Sequence, residues 1–465
     1  MRKSTKILLV LAAFVAVNVA LLIGTIPDAA WTFSADGHSW RSPALGLIKH
    51  GTFVKPDAPG TPEVFRVPGY PLFLAGTILI GGDRFFDFAV PIQIAVLFAI
   101  GLIAYRVAED WLPGYGVAAL ALTVFNPNSL GTAHIIQSET LYALGIALLG
   151  WAVLAYCRRP SIERGTLAGL ALGASCLIRP DAQFLIVLLP LGLVVLGALP
   201  GSAISWGRRL AAAVVCFVVA VTVVAPWAYR NAQIGYGHRL TTATSASYYI
   251  WDSAGQVEMM ANGVSQQMAG NRMQTRQAAF IKAQGPAWRQ LSKSRQDELL
   301  FAEGVRTVLS YPLQAIGRTV LDATLQFFAG GGAGNFLNIL GYAKYNPYEV
   351  MGKREHSGYL AAWLDALRGA AWPAAAITLT ALAFVAALRI FGLIGLVTLM
   401  RRSEWRLLAV ILGAMAYFAL VIPFYGHSRF RVPIEFLFVL LALAGFDGLR
   451  RQRREPAHGT VPLKN

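Results

Sequence analysis

The chain has 465 residues, of which 56% are hydrophobic and 14% charged, and its formal net charge is +16. Its mean hydropathy of +0.53 excludes an ordinary soluble domain. Many apolar runs approach the roughly 20 residues that cross about 30 Å of hydrocarbon. They lack the period-2 alternation of a membrane β-barrel. We therefore predict an all-α polytopic membrane protein.

The first apolar run covers residues 7–26 and follows a short basic N-terminus. A cleaved signal peptide would have a shorter apolar core, and further apolar runs follow, so we predict an uncleaved first helix. The other candidate spans lie at 88–105, 115–134, 139–157, 166–179, 182–199, 209–228, 372–400, 405–424 and 431–447. Together they give about ten transmembrane helices.

The stretch VFRVPGYPLFLAGTILIGG, residues 64–82, is an eleventh candidate. Lys and Arg in short loops are enriched on the cytoplasmic side of a membrane. If 66–82 does not cross, about 16 basic residues lie in cytoplasmic loops and about four in short outer loops. If it crosses, this bias reverses. We therefore predict a juxtamembrane or re-entrant helix, started by Pro68 and Pro71, and two cytoplasmic termini.

This threading divides the chain into three predicted parts. Residues 1–228 form an N-terminal transmembrane module that contains the first outer loop, 27–87. Residues 229–371 form a mostly helical extracytoplasmic segment, far longer than a connector. Residues 372–465 supply the last transmembrane helices and a basic cytoplasmic tail. In the middle segment, YPLQAIGRTVLDATLQFF predicts a helix on the membrane surface and GGGAGN a flexible break.

Charged and polar residues collect at the predicted outer ends of the spans. They are Asp36, Arg66, Glu139, Arg179, Asp181, Arg230, Asn231, His427, Arg429 and Arg431. Each alone has a structural explanation, such as an arginine reaching headgroups, Arg179 capping a helix, or Asp36 forming an Asx turn. Together, several arginines with few acids on one face predict an anionic ligand. The planar guanidinium fork suits phosphate.

The sequence contains no motif for nucleotide binding or metal binding. There is no Walker loop, no Rossmann glycine pattern and no His/Cys metal spacing. The three cysteines lie in or beside apolar runs and give no disulfide framework. Nothing indicates a nucleic-acid partner. An enzyme facing outward would have no ATP or nucleotide sugar and would need an activated donor already in the membrane.

An ordered set of motifs resembles the GT-C superfamily of integral-membrane glycosyltransferases. The similarity is to bacterial members related to the protein O-mannosyltransferases and the lipid A aminoarabinose transferase. The motifs are SADGHSWRSPALGLIKHGTF, FRVPGYPLFLAG, QSETLYALGIALL, LIRPDAQFL, APWAYRNAQIGYG and HSRFRVPIEFLFVLLA. Residues 240–370 match nothing in the family pattern.

The resemblance implies a GT-C fold and a polyprenyl-phosphate sugar donor. The acceptor would be a hydroxyl of a lipid, polysaccharide or protein at the outer face of a bacterial inner membrane. It implies Asp36 as the general base, although many relatives carry an acidic pair where Gly37 follows here. It implies that Arg66 holds the donor phosphate. Arg179, Arg230 and Arg431 lie in matching motifs and are further candidates for that phosphate.

The residues support this chemistry on physical grounds. Attack at the anomeric carbon develops negative charge on the leaving phosphate, which fixed guanidinium groups stabilise. Asp36 would accept the acceptor proton, a contribution of about 10²–10⁴-fold. One base and one displacement predict inversion. Glu139, His427 and Arg429 are predicted substrate contacts. A metal is not obligatory for a phosphate leaving group, but some relatives use a divalent cation, which stays open here.

Two other functions are open. A transporter or flippase for a polyprenyl-linked or other anionic lipid would share a basic outer cavity. Transporters place charged groups near the bilayer midplane, whereas these spans are almost free of them. The main exception is Arg389, which we place near the inner end of a long span. A glycan ligase or polymerase with a pyrophosphate-linked donor is the third alternative.

Overall fold

The structure is a computed structural model that describes residues 2–25, 36–199, 205–356 and 358–453. Residues 27–35 of the predicted first outer loop and residues 454–465 of the predicted basic tail lie outside the described part. Nearly all of the described chain is helical, which confirms the all-α fold class. One small hairpin, β1 (Val54–Lys55) paired with β2 (Ala58–Pro62), was not predicted.

In the described part of the chain, ten helices precede the long middle segment. They are α1 (Lys3–Gly24), α2 (Gly37–His50), α3 (Gly69–Gly81), α4 (Phe86–Trp111), α5 (Gly116–Val124), α6 (Pro127–Ala133), α7 (Glu139–Arg158), α8 (Ile162–Ile178), α9 (Leu185–Ala198) and α10 (Trp206–Gln233).

Ten more helices follow. They are α11 (Ala243–Asn262), α12 (Gln266–Ala283), α13 (Lys293–Leu309), α14 (Leu313–Ala329), α15 (Gly334–Ile339), α16 (Pro347–Lys353), α17 (Tyr359–Arg368), α18 (Trp372–Arg401), α19 (Trp405–Val421) and α20 (Glu435–Gln452). The 229–371 segment is therefore mostly helical, as predicted.

In the described part, six helices are long and apolar enough to cross a membrane: α1, α4, α7, α10, α18, and α20 with the turn that precedes it. Helices α9 and α19 are shorter and apolar. These helices define an integral membrane protein. The predicted spans 115–134 and 166–179 correspond to α5 with α6 and to α8, so the total of about ten crossings stays a prediction.

The predicted span 115–134 is broken at Asn126. The Asn126 side chain accepts hydrogen bonds from the backbone N–H groups of Asn128 at 3.0 Å and Ser129 at 3.3 Å. This is an N-cap, and Pro127 follows at the first helical position, where its missing N–H costs nothing. A new helix, α6, therefore begins in the middle of the apolar run.

The segment 37–87 packs as two short helices beside the bundle. Trp40 of α2 lies edge-on to Tyr70 of α3, with ring centroids 5.4 Å apart, and Leu74 and Phe85 complete a buried cluster. Helix α3 has 13 residues, about 20 Å of helix, which is too short to cross the hydrocarbon core. This geometry agrees with the juxtamembrane helices predicted from the charge pattern.

The GGGAGN stretch is closely packed, although we predicted a flexible break there. Gly332 has φ +78°, and an added Cβ would lie 2.5 Å from the Asn128 side chain. A Cβ on Gly331 would lie 3.0 Å from the backbone nitrogen of Leu382. These glycines are needed for a left-handed turn and a close approach between α6 and α18.

Candidate active site

Asp36 lies immediately before α2, and two arginines bind its carboxylate. Its Oδ1 accepts from Nη2 of Arg66 at 3.1 Å, and its Oδ2 accepts from Nη1 of Arg429 at 3.0 Å. Its side chain makes no capping hydrogen bond to α2. The carboxylate thus joins the start of the chain's first loop to the turn before α20, 393 residues away.

Arg66 is fixed by two residues that we did not single out from the sequence. The hydroxyl of Ser39 accepts from its Nε at 3.0 Å, and Trp40 lies under its guanidinium at 4.1 Å. The Arg66 side chain is only 10% exposed, so it does not extend to lipid headgroups. Ser39 and Trp40 lie one helical turn after Asp36 in the SADGHSW motif. This spacing places them on the same helix face as Asp36 and could have indicated them as site residues.

A chain of ion pairs continues from Arg429 to the end of α8. Glu139, at the start of α7, lies 3.8 Å from Nε of Arg429 and accepts a hydrogen bond from Nη1 of Arg179 at 2.9 Å. Arg179 also pairs with Asp181 at 2.7 Å. Among the described residues, the buried Nε of Arg429 has no hydrogen-bond partner. It is therefore a donor available to a ligand.

The cluster is electrically balanced, contrary to the predicted excess of arginines over acids. Three guanidinium groups face three carboxylates: Arg66, Arg179 and Arg429 with Asp36, Glu139 and Asp181. Burial of Asp36 opposes its ionisation, but the charges of Arg429, Arg66 and Arg179 outweigh it and lower its pKa. An anionic ligand must therefore compete with Asp36 for its arginines.

Two of the predicted phosphate-binding arginines lie outside this cluster. Arg230 donates to the backbone carbonyls of Glu63 at 2.7 Å and Phe53 at 2.8 Å, so it ties the hairpin to α10. Arg431 is fully buried. It pairs with Glu435 at 2.6 Å and donates to carbonyls in the 327–330 stretch. Both have donors committed to protein oxygens.

His427, a predicted substrate contact, is packed against aromatic rings. Its ring stacks on Tyr348 with centroids 3.6 Å apart and meets the edge of Phe430. Burial and the charge of Arg429 lower the pKa of His427 well below its ordinary value. The imidazole is therefore neutral and adds no positive charge to the site.

A polar cavity of about 580 Å³ opens in front of Asp36 and Arg429. Asp252 of α11 lies in its wall and accepts a hydrogen bond from the hydroxyl of Tyr425. Burial raises the pKa of Asp252, and the nearby charge of Asp36 adds to this. Asp36 and Asp252, two of the carboxyl groups in the cavity wall, thus have pKa values shifted in opposite directions. Asp252 could not be predicted as a site residue, because its segment matched no pattern.

An apolar groove of about 1040 Å³ runs between α7, α9 and α19. Leu149, Val187, Leu188 and Val410 are among its lining residues. Tyr417 also lines it, and the hydroxyl of this residue donates to the backbone carbonyl of Asp181. The groove therefore lies beside the Arg179–Asp181 pair.

A metal does not fit the residues around Asp36. Both of its carboxylate oxygens face guanidinium groups, so a divalent cation would have to enter against two positive charges. Among the described residues, no three His, Cys, Asp or Glu side chains are grouped closely enough to hold a metal ion.

No protein-family model and no curated protein matches the chain. Among solved structures, it is similar to the archaeal oligosaccharyltransferase AglB from Archaeoglobus fulgidus, in complex with an inhibitory peptide and a dolichol-phosphate. The TM-score is 0.50 at 13% identity, over 96% of this chain and 51% of AglB. The chain thus spans about half the length of that protein. At this identity the similarity shows the fold, and it confirms the GT-C fold predicted from the sequence.

Proposed function

We propose that the chain is a membrane glycosyltransferase. It transfers a sugar from a polyprenyl-phosphate-linked donor to an acceptor hydroxyl at the extracytoplasmic face, with inversion. The observation that carries this proposal is the position of Asp36 between Arg66 and Arg429, in a polar cavity. The nearby apolar groove and the GT-C fold support a lipid-linked donor.

In this proposal the prenyl chain occupies the groove between α7, α9 and α19. Its phosphate then emerges beside Arg179 and reaches Arg429, whose buried Nε makes no hydrogen bond to any described residue. Arg66 and Arg429 bind the phosphate through charge-assisted hydrogen bonds. Arg179 positions Arg429 through the carboxylate of Glu139 that they share. Arg230 and Arg431 hold the surrounding backbone.

Binding of the phosphate prepares Asp36 to act as a base. A carboxylate held by two guanidinium groups is a weak base. When the donor phosphate takes over those N–H groups, the pKa of Asp36 rises towards its ordinary value. The carboxylate then accepts the proton of the acceptor hydroxyl, whose oxygen bonds to the anomeric carbon. The bond from that carbon to the phosphate oxygen breaks, and the arginines stabilise the released polyprenyl monophosphate.

The test uses the purified full chain in lipid nanodiscs, with a panel of polyprenyl-phosphate sugars and an envelope extract as acceptor. We expect transfer with inverted anomeric configuration, and a loss of about 10²-fold or more in Asp36→Asn. Asp57→Asn is the matched control, because that carboxylate is exposed in the same loop. Full turnover by Asp36→Asn would refute the base assignment. Saturable donor binding without any transfer would favour a flippase.

A further inference from the structure

A second cavity of about 350 Å³ lies behind Arg429, between α6, α15, α17 and α18. We call it the amide chamber, because side-chain amides line much of it. Gln137, Asn335 and Asn338 face it together with the aromatic rings of Trp363 and Tyr359. Its volume is at the lower end of the roughly 300–1,000 Å³ that is typical of ligand sites.

The chamber has a built, unsatisfied polar group. Gln137 is 5% exposed, and its amide oxygen makes no hydrogen bond within the part of the chain that the structure describes. Buried polar atoms are almost always paired, so an unpaired acceptor in a cavity wall indicates a ligand or ordered solvent. Asn335 and Asn338 are already oriented by Thr132 and Asn346. Such oriented amides offer both donors and acceptors without charge.

The chamber communicates with the catalytic cavity. Tyr348, His427 and Arg429 line both spaces, and Arg429 binds Asp36. The apolar groove lies next to the Arg179–Asp181 pair, because Tyr417 in its wall donates to the backbone carbonyl of Asp181. The groove and the chamber share no lining residue among the described residues, so a donor in the groove would leave the chamber free.

We propose that the amide chamber binds the terminal sugar of a neutral glycan and presents its hydroxyl to Asp36. This inference rests on the proposed function and names the acceptor as a carbohydrate. Side-chain amides pair with sugar hydroxyls in both directions, and the aromatic rings cover the apolar face of a sugar ring. The chamber is compact and side-chain-lined, and Glu349 and Arg429 are its charged members. It offers no sheet edge on which a peptide backbone could pair.

The glycine turn makes the chamber rigid. Gly331 and Gly332 pack against α18 and α6, and Asn346 lies 3.2 Å from the position of a Cβ on Gly334. The backbone therefore approaches closely on one side and holds the chamber open without a ligand. A preorganised site costs little ordering free energy on binding.

The first experiment measures binding of mannobiose, galactobiose and cellobiose to the full chain in nanodiscs by saturation-transfer NMR. We expect at least one to bind, and Gln137→Met and Trp363→Ala each to weaken that binding about tenfold. Binding of polyprenyl monophosphate should not change, which also shows that the variants are folded. Exposed residues give matched controls, Gln290→Met and Trp372→Ala.

Several results would refute the proposed role of the amide chamber. It fails if no disaccharide binds, if both variants bind as well as the native chain, or if a neutral Ser/Thr peptide binds there instead. The acceptor role also fails if the variants weaken binding of polyprenyl monophosphate and leave binding of the disaccharide unchanged. If transfer depends on Asp36 but no disaccharide binds, the proposed role of the chamber is refuted and the proposed function is not. Disaccharide binding without transfer from any donor would refute the proposed function and leave a sugar-binding chamber.

Discussion

Arg429 connects every part of the candidate site. It binds Asp36, lies beside Glu139, and lines both the catalytic cavity and the amide chamber. Arg431 lies two residues later in the same 3₁₀ turn, Ser428–Ile434, but faces the protein interior and pairs with Glu435. The sequence HSRFRVP shows two equivalent arginines, and only the direction of the turn separates a ligand-facing guanidinium from a structural one.

The pKa of Asp36 leads to a prediction for Arg429→Ala. Removing a positive neighbour raises the pKa of a carboxylate, so the acid limb of kcat/KM should move to higher pH. In the native protein, the acid limb of kcat should lie at higher pH than that of kcat/KM, because bound phosphate takes the guanidinium groups. Both are measured from pH–rate profiles of transfer.

Arg84→Ala is the control for this profile, since Arg84 forms an exposed pair with Asp87 near the same loop. Identical acid limbs in the native protein and Arg429→Ala would show that Asp36 is not the titrating base.

The site residues that could be predicted from the sequence are charged residues that lie within a recognisable motif. Asp36, Arg66 and Arg429 were predicted as site residues, and the structure brings them together. Asp252 and Asn338 were not, because they lie in a segment whose composition is typical of any surface helix. Their role depends on how α11 and α15 fold back over the membrane module, which no local pattern encodes.

At the scale of elements, close helix contacts are set by small residues. In α8, Gly165, Gly169 and Gly173 recur every fourth residue and face α10. A Cβ on Gly169 would lie 2.5 Å from the backbone oxygen of Cys216. Membrane helices gain little hydrophobic free energy from each other and rely on such close packing.

We therefore expect Gly169→Ala to destabilise the bundle by about 1–3 kcal/mol, as overpacking does in other cores. The matched control is Gly76→Ala in α3, where nothing lies within 4 Å of the added Cβ. There the substitution should be neutral or stabilise by about 0.5–1 kcal/mol. Unfolding in detergent, followed by circular dichroism, measures both. Equal stability of the two variants would contradict the packing explanation.

The elements that were predicted wrongly or missed are those that depend on a few neighbouring residues. Hydropathy averages over about twenty residues, so it merged α5 and α6 into one span. The Asn126–Pro127 pair was visible as an N-cap followed by proline, and it ends the first helix. The hairpin at 54–62 is smaller still and is stabilised from outside by Arg230.

At the scale of the molecule, α18 and α20 run parallel in close contact. Gly392 and Gly395 of α18 meet Leu441 of α20, and Thr398 meets Gly448. Arg389 therefore lies level with Phe438, 3.6 Å from its ring, near the end of α20 that carries the site. Its guanidinium also lies 3.9 Å from the buried carboxylate of Glu435. The position of Arg389 near the inner end of its span stays a prediction.

The predicted orientation can be tested with single cysteines. The native cysteines are all buried, so an impermeant maleimide should give little background. Asp83 is fully exposed beside α3, and Asp83→Cys should be labelled on intact cells. Glu404→Cys, exposed between α18 and α19, should be labelled only after permeabilisation. The reverse pattern would place Asp36 and its arginines on the cytoplasmic side, where nucleotide sugars are available. A lipid-linked donor would then lose its rationale.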